Sequence, residues 1–295
     1  MKEVKDIKNI LIIGCGTLGL RIGLRCAMDG YNVRMYDISD KILERARVTQ
    51  DKLLSSFIKR NIITEAQADS AKERISTTTD VGKAVKNIDL VSESVTEDID
   101  LKKKVYQAFA PHFEKHTIVT TNTSYLLASM LAGDSGCGER FCAFHFHDVF
   151  FMNVVDIMPH PNTEEWVSDL LLAFGKTINQ IPVYIKNENN GYIFNQMLLA
   201  LLGSAGDLVT RNVSSIQDVD RSWMGNTKMH IGPYGMLDQI GLDTAWHIVS
   251  VRKDPKSVRF AELLKTFVDA GKFGIKTGEG FYKYPNPEFT QPNFI

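Results

Sequence analysis

Apolar positions along the first two thirds of the chain fall into short runs, separated by stretches with helical spacing. Ile10-Leu11-Ile12-Ile13, Val33-Arg34-Met35-Tyr36, Ile88-Asp89-Leu90-Val91 and Thr117-Ile118-Val119-Thr120 read as short buried strands. Phe141-Cys142-Ala143-Phe144-His145-Phe146 and Val154-Val155-Asp156-Ile157-Met158 are two more. Ile181-Pro182-Val183-Tyr184-Ile185 closes the series, and its proline predicts an edge strand. Between the runs, Ile42, Leu43, Ala46, Leu53, Leu54 and Phe57 recur at helical spacing behind Ser39, a candidate cap. Thr64 and Gln67 predict a capping box for a shorter helix. Strands alternating with helices predict an α/β fold, a mostly parallel sheet covered on both faces.

The texture changes at Asn187-Glu188-Asn189-Asn190-Gly191. Tyr192 to Thr210 reads as one long apolar helix, and no strand pattern follows it. The expected division is therefore 1–188 for the sheet domain and 189–295 for an all-α C-terminal domain. So apolar a helix predicts burial on several sides, in a domain core or a subunit interface. The last eleven residues, with three prolines, predict an irregular tail.

At 295 residues the chain has room for two domains and a sizeable core. A net charge of -1 gives no reason to expect nucleic acid or an anionic membrane as partner. The charged start runs straight into the first strand, so no signal peptide is expected, and no apolar run reaches the length of a membrane span. Cys15, Cys26, Cys137 and Cys142 show no CxxC pair, which predicts reduced thiols and a cytoplasmic location. Cys15 reads as a packing residue.

The first strand ends in Gly14-Cys15-Gly16-Thr17-Leu18-Gly19, a helical run follows, and the second strand ends at Asp37. Each part suits a dinucleotide. Gly14 permits the tight turn, Gly16 leaves the backbone bare for a pyrophosphate, and Gly19 lets helix and strand pack closely. Thr17 and Leu18 open the helix whose free N–H groups face the phosphates. Asp37 stands where a carboxylate accepts bonds from a ribose diol. The same charge repels a 2′-phosphate, so NAD is expected over NADP.

Seven further segments, in order, complete a pattern. They include Glu93-Ser94-Val95-Thr96-Glu97, Thr121-Asn122-Thr123-Ser124 and Arg140-Phe141-Cys142-Ala143-Phe144-His145. Val154-Val155-Asp156-Ile157 and Gly191-Tyr192-Ile193-Phe194-Asn195 follow. Ile231 to Asp243 and Gly271 to Tyr282 come last. With the glycine turn, they make the chain similar to the 3-hydroxyacyl-CoA dehydrogenase family over nearly its whole length. That resemblance implies a Rossmann-type NAD-binding domain, then a helical domain for substrate and dimerisation. It also implies oxidoreductase chemistry in fatty-acid metabolism, and a homodimer acting on a small molecule.

The resemblance makes His145 the catalytic histidine, and a near-neutral pKa suits a base that takes a hydroxyl proton. Asp156 matches the family's orienting glutamate, one methylene shorter and one residue nearer in sequence. Ser124 matches the serine facing the substrate oxygen, and Asn195 the asparagine supporting the substrate carbonyl. On the cofactor side the resemblance adds Glu97, Lys102, Asn122 and Lys276. His147, where the family pattern has Phe, should point to the same side as His145 and reads as a neighbour. Two histidines also begin a metal site. No third ligand falls at a recognisable spacing, and hydride transfer to NAD needs no metal, so none is expected.

Departures from the family fall near the substrate. The family's HFFNP is His145-Phe146-His147-Asp148-Val149 here, and the Arg after Asn195 is Gln196. Leu53 stands where the family has a serine touching CoA, although Lys59 and Arg60 remain to meet a phosphate. These changes resemble a divergent branch that includes a diketoreductase. Three readings stand: a 3-hydroxyacyl-CoA dehydrogenase, the same chemistry on a non-CoA 3-oxo ester or 3-hydroxy acid, and a non-catalytic NAD-binding protein.

Overall fold

The computed structural model describes residues 3–295 and divides into two compact units, one ending at Ile193 and one spanning Phe194–Ile295. The first is an eight-stranded sheet. Its strands are β1 (Asn9–Ile13), β2 (Asn32–Tyr36), β3 (Ile75–Thr78), β4 (Leu90–Glu93), β5 (Ile118–Thr121), β6 (Phe141–Phe146), β7 (Val154–Pro159) and β8 (Ile181–Tyr184). They lie in the order β3-β2-β1-β4-β5-β6-β7-β8. Every neighbouring pair is parallel except β6 and β7. The helices are α1 (Thr17–Met28), α2 (Asp40–Lys59), α3 (Glu65–Glu73), α4 (Val81–Ala84), α5 (Ile99–Phe109), α6 (Ser129–Ala132) and α7 (Glu165–Thr177).

The unbroken apolar runs follow from burial on both faces. Ile10 and Ile12 enter one hydrophobic cluster and Leu11 and Ile13 the other, all at most 1% exposed. This is the doubly wound α/β arrangement. The chain reverses direction across the sheet between β1 and β4, and such folds bind ligands beside that point, at the carboxyl ends of the strands. β8 pairs with β7 at one edge of the sheet, opposite the β3 edge, and there Pro182 lacks an N–H to donate. Thr64 and Gln67 form the reciprocal capping box at α3. At α2, Ser39 is the cap residue but its side chain makes no capping bond, and Ile42 faces outward at 39% exposure.

The second unit is helical: α8 (Phe194–Thr210), α9 (Ile216–Thr227), α10 (Pro233–Ile240), α11 (Leu242–Ser250) and α12 (Pro255–Asp269). Its core gathers Leu202, Ala205, Tyr234, Leu237, Leu242, Phe260 and Leu264. Gly206 lets α8 press against α12, since a Cβ there would lie 2.5 Å from the Phe260 ring. α8 starts at Phe194, and burial is confined to one side. Leu202, Ala205, Gly206 and Asp207 are buried, while Phe194 and Met197 are exposed. The last residues are irregular apart from one short turn but are tied down, with Phe294 buried and its carbonyl accepting Arg221 Nε–H at 2.6 Å. Among the described residues, no helix is long and apolar enough to cross a membrane.

Candidate active site

Three glycines of the turn after β1 answer three different demands. Gly14 has φ +92°, and a Cβ on it would meet the Ser94–Val95 backbone at 2.8 Å. Gly19 lies so near the Gly14 carbonyl that a Cβ would come within 2.0 Å of it. At Gly16 a Cβ would meet nothing within 4 Å, so the backbone borders open space. Gly16 is also the cap of α1, offers no side chain to the first turn, and no acidic residue occupies that turn. The amides around Thr17 and Leu18 are thus placed for an anion. Asp37 follows β2 and its Oδ2 accepts the Cys15 N–H at 2.9 Å, which fixes the carboxylate beside the turn. Room, amides and acid together fit NAD. Cys15 is buried, and burial pushes its thiol pKa up, in keeping with packing.

At the C-terminal end of β4 lies a network around Glu93, which the sequence offered only as part of a motif. Glu93 is fully buried, and its carboxylate accepts from Lys102 Nζ (2.7 Å), Val95 N–H (2.7 Å), Thr121 Oγ1 (2.8 Å) and Tyr106 Oη (3.0 Å). Lys102 is only 1% exposed, so its ammonium is spent on Glu93 and the Val95 carbonyl, with Glu97 3.5 Å away. Glu97 accepts the Thr123 hydroxyl and the N–H groups of Ser124 and Tyr125, both at 3.0 Å. It therefore holds the loop that displays the exposed Ser124. Asn122 spans strand ends: its Oδ1 accepts Phe146 N–H at 2.8 Å and its Nδ2 donates to Ser94 Oγ.

The densest chemistry sits on β6 and β7. Antiparallel pairing sets His145 directly opposite Asp156, so the shorter interval in sequence is absorbed by the strand register. Asp156 Oδ2 lies 3.3 Å from His145 Nδ1 and 2.8 Å from His147 Nε2. His145 and Asp156 are almost wholly buried. Both histidines face the same side, and His147 is the nearer to the acid. Burial lowers the His145 pKa below its ordinary value, and the bond from Asp156 only partly opposes this. For Asp156, burial pushes upward, but the bonds from His145 and His147 outweigh it and the pKa is lowered. The pair is then a neutral imidazole beside an ionised carboxylate. Tyr192 stacks flat on the His145 ring, centroids 4.5 Å apart, while its hydroxyl donates to the Thr123 carbonyl. Tyr192 stands three residues before Asn195 in a motif already singled out, the one signal that pointed to it.

In the helical unit, Asn195 is the second residue of α8 and half-buried. Lys276 donates to both Asp243 oxygens at 2.6 Å. Two buried acids there, Asp220 and Asp238, accept from backbone N–H and tyrosine hydroxyl groups.

Comparison with known proteins bears on this arrangement. Residues 9–188 match the NAD binding domain of 3-hydroxyacyl-CoA dehydrogenase, and residues 191–284 match its C-terminal domain. A 5-formyl-3-hydroxy-2-methylpyridine 4-carboxylate 5-dehydrogenase of Mesorhizobium japonicum is 33% identical, covering 97% of this chain and 93% of its own. A diketoreductase of solved structure, described in dual catalysis of dicarbonyl compounds, is 35% identical with a TM-score of 0.90, covering 96% and 100%. The (S)-3-hydroxybutyryl-CoA dehydrogenase of Ralstonia eutropha is 31% identical with a TM-score of 0.86, covering 95% and 100%. Fold, glycine turn and both family matches agree: the chain belongs to the 3-hydroxyacyl-CoA dehydrogenase family of NAD-dependent oxidoreductases.

Proposed function

We propose that the chain moves hydride between NAD and the C3 carbon of a 3-hydroxyacyl or 3-oxoacyl substrate, with His145 as the proton-transfer group. The observation that carries this reading is the buried His145–Asp156 pair, with the carboxylate on Nδ1. A carboxylate there keeps the ring proton on Nδ1 and leaves the lone pair on Nε2. NAD, when bound, accepts hydride from the carbinol carbon, and NADH returns it. In the oxidising direction His145 Nε2 takes the hydroxyl proton, and the imidazolium so formed is stabilised by Asp156. In reverse the imidazolium gives its proton to the 3-oxo oxygen. We assign Ser124 and Asn195 to the substrate oxygens, with Glu97 holding the Ser124 loop. Gly14, Gly16, Thr17, Leu18 and Gly19 take the pyrophosphate and Asp37 the ribose. Glu97, Lys102, Asn122 and Lys276 complete the cofactor side, Lys102 acting through the acids it binds.

For the acyl carrier, the first reading is a CoA thioester, with exposed Lys59 and Arg60 at the end of α2 available to its phosphates. A second reading, a 3-oxo ester or 3-hydroxy acid without CoA, is favoured by Leu53, whose side chain packs half-buried against the core. The 35% identity to a diketoreductase supports it. NADH consumption with acetoacetyl-CoA against ethyl acetoacetate tests both. A strong preference for the thioester supports the first and the reverse supports the second. Silence on both, with NAD bound, leaves the non-catalytic reading. Phe194 and Met197, exposed on α8, support a homodimer, and four buried unpaired thiols support a reducing compartment.

A further inference from the structure

We propose that His145, His147 and Asp156 form a site for a zinc-like transition-metal dication, and that filling it switches off the proton-transfer role proposed above for His145. The sequence alone offered two histidines and no third ligand at a recognisable spacing. The strand register supplies the third. One donor atom from each residue lies within 4.8 Å of the other two. Two of the three separations, 2.8 and 3.3 Å, are already near the roughly 3.4 Å between ligands on a tetrahedral zinc with bonds of about 2.1 Å. The third needs the imidazoles, whose ring centroids are 4.7 Å apart, to close by small rotations.

The donor chemistry fits a borderline-soft cation. Two imidazoles and one carboxylate make a set that leaves a fourth position open, the pattern of zinc sites that admit solvent. The donors are also held in advance. His145 and Asp156 face each other on paired strands, and His147 follows one residue beyond β6, so little conformational freedom is lost on binding. His145, His147 and Asp156 meet at one carboxylate oxygen, Asp156 Oδ2, where a dication would relieve the crowding of two donors.

The inhibitory consequence follows from which nitrogen faces the site. Metal would bind His145 through Nδ1, the atom now directed at Asp156. A neutral imidazole bound through Nδ1 carries its proton on Nε2. The ring proton moves from one nitrogen to the other, and no proton or electron leaves the ring. Nε2 then has no lone pair for a substrate proton, and oxidation stops. His147 undergoes the mirror change, from Nε2–H to Nδ1–H, and Asp156 exchanges two hydrogen bonds for one metal bond.

The test uses the whole protein, stripped with a chelator and then dialysed against zinc, with bound metal counted and turnover followed in parallel. The expected result is one zinc per chain, turnover lost in step with occupancy, and recovery with EDTA. His147→Gln keeps a hydrogen-bond donor for Asp156 but lacks a good zinc ligand. Its zinc affinity should fall by more than the roughly 10–100-fold that losing an outer-shell partner costs. Cobalt(II) in the unaltered protein should show shifted imidazole protons from two histidines, which guards against a variant that folds badly. Unchanged zinc affinity in His147→Gln, fewer than two shifted histidines, or full turnover with zinc bound would each overturn the proposal. Metal counting needs no activity, so one zinc bound through His147 on a chain that turns over no hydroxy or oxo substrate would fault the proposed function and not the site.

Discussion

Both units bury aspartates almost completely, yet the two surroundings push the carboxyl group in opposite directions. In the sheet unit, Asp156 meets two imidazoles, and their bonds hold its pKa below the ordinary value against the upward pull of burial. In the helical unit, Asp220 accepts the N–H groups of Tyr234 and Gly235 and the Tyr282 hydroxyl, at 2.8 to 3.0 Å. Asp238 accepts Phe281 N–H, Tyr282 N–H and the Tyr284 hydroxyl, at 2.8 to 3.1 Å. Burial raises both, and these bonds only partly offset it. Number of donors is therefore not what separates the sites. An imidazole can take up or release a proton near neutral pH, so its carboxylate partner can stabilise the charge that comes and goes on the ring. Backbone N–H groups cannot, so Asp220 and Asp238 act as clamps on the chain. Asp220 clamps the start of α10, and Asp238 clamps the strap after Gly280.

The sharpest way to break this contrast is at His145. His145→Gln should cut turnover by about 10²–10⁴, the worth of a positioned general base, while NADH still binds by fluorescence. A smaller loss there than in His147→Gln would move the base to the other ring. Asp156→Asn should cost less, about tenfold or more, because it keeps the shape and removes only the charge that stabilises imidazolium. In a double-mutant cycle it should add little to His145→Gln, since groups that act as a unit are not additive. Full additivity, with the loss appearing in stability alone, would make Asp156 a clamp of the Asp220 kind.

That distinction was only half legible in the sequence. Seven of the eight strands of the sheet unit, the glycine turn and Asp37 can be read from local pattern, because each depends on neighbours within a few positions, whereas His145 stood out through the family resemblance. β3 (Ile75–Thr78) was missed, because its Ile-Ser-Thr-Thr segment is only partly buried and carries no apolar run. Asp156 was legible as a candidate, but its second partner was not, since His147 reaches it only through the β6–β7 register. The network around Glu93 stayed hidden for a similar reason: the acid's partners Lys102, Tyr106 and Thr121 lie 9 to 28 positions on. By local pattern Lys102 is an ordinary solvated helix residue that only the family resemblance singles out, and the fold buries it. Asp220 is satisfied by Tyr282, 62 positions away, and no periodicity signals such a partner.

Deleting a clamp should affect stability and spare chemistry. Asp220→Ala strands three donors, two of them backbone amides in a buried setting. Leaving a buried donor unpaired costs about 1–3 kcal/mol, so the unfolding free energy in urea should fall by about 2 kcal/mol or more. Asp220→Asn, which keeps one acceptor oxygen, should lose less. Turnover per folded molecule should match the parent in both. A loss of turnover without a loss of stability would put Asp220 in the reaction and erase the difference between the two units.

The smallest effect, and the one that tests the contrast most directly, is the pH dependence of stability in each unit. Asp220 and Asp238 have folded-state pKa values raised above the unfolded ones. Their folded state binds protons more tightly, so their contribution is fully present below about 3.9, the ordinary aspartate value, and is lost as pH rises through the raised values. Asp156, with its pKa lowered, behaves the other way. Its contribution is present above about 3.9 and is lost as pH falls through the lowered value. Mild acid should thus strengthen the helical unit, and stronger acid should weaken the sheet unit. The tryptophans report the units separately. Trp166 lies in α7 of the sheet unit, and Trp223 and Trp246 lie in α9 and α11 of the helical unit. In full-length chains with Trp166→Phe, or with Trp223→Phe and Trp246→Phe, urea midpoints followed by fluorescence should move in these opposite senses. Asp220→Asn should flatten the helical unit's response and leave that of Trp166 in place. Parallel shifts at both reporters would mean that the two units titrate as one, and that the surroundings of Asp156 and Asp220 do not set their behaviour.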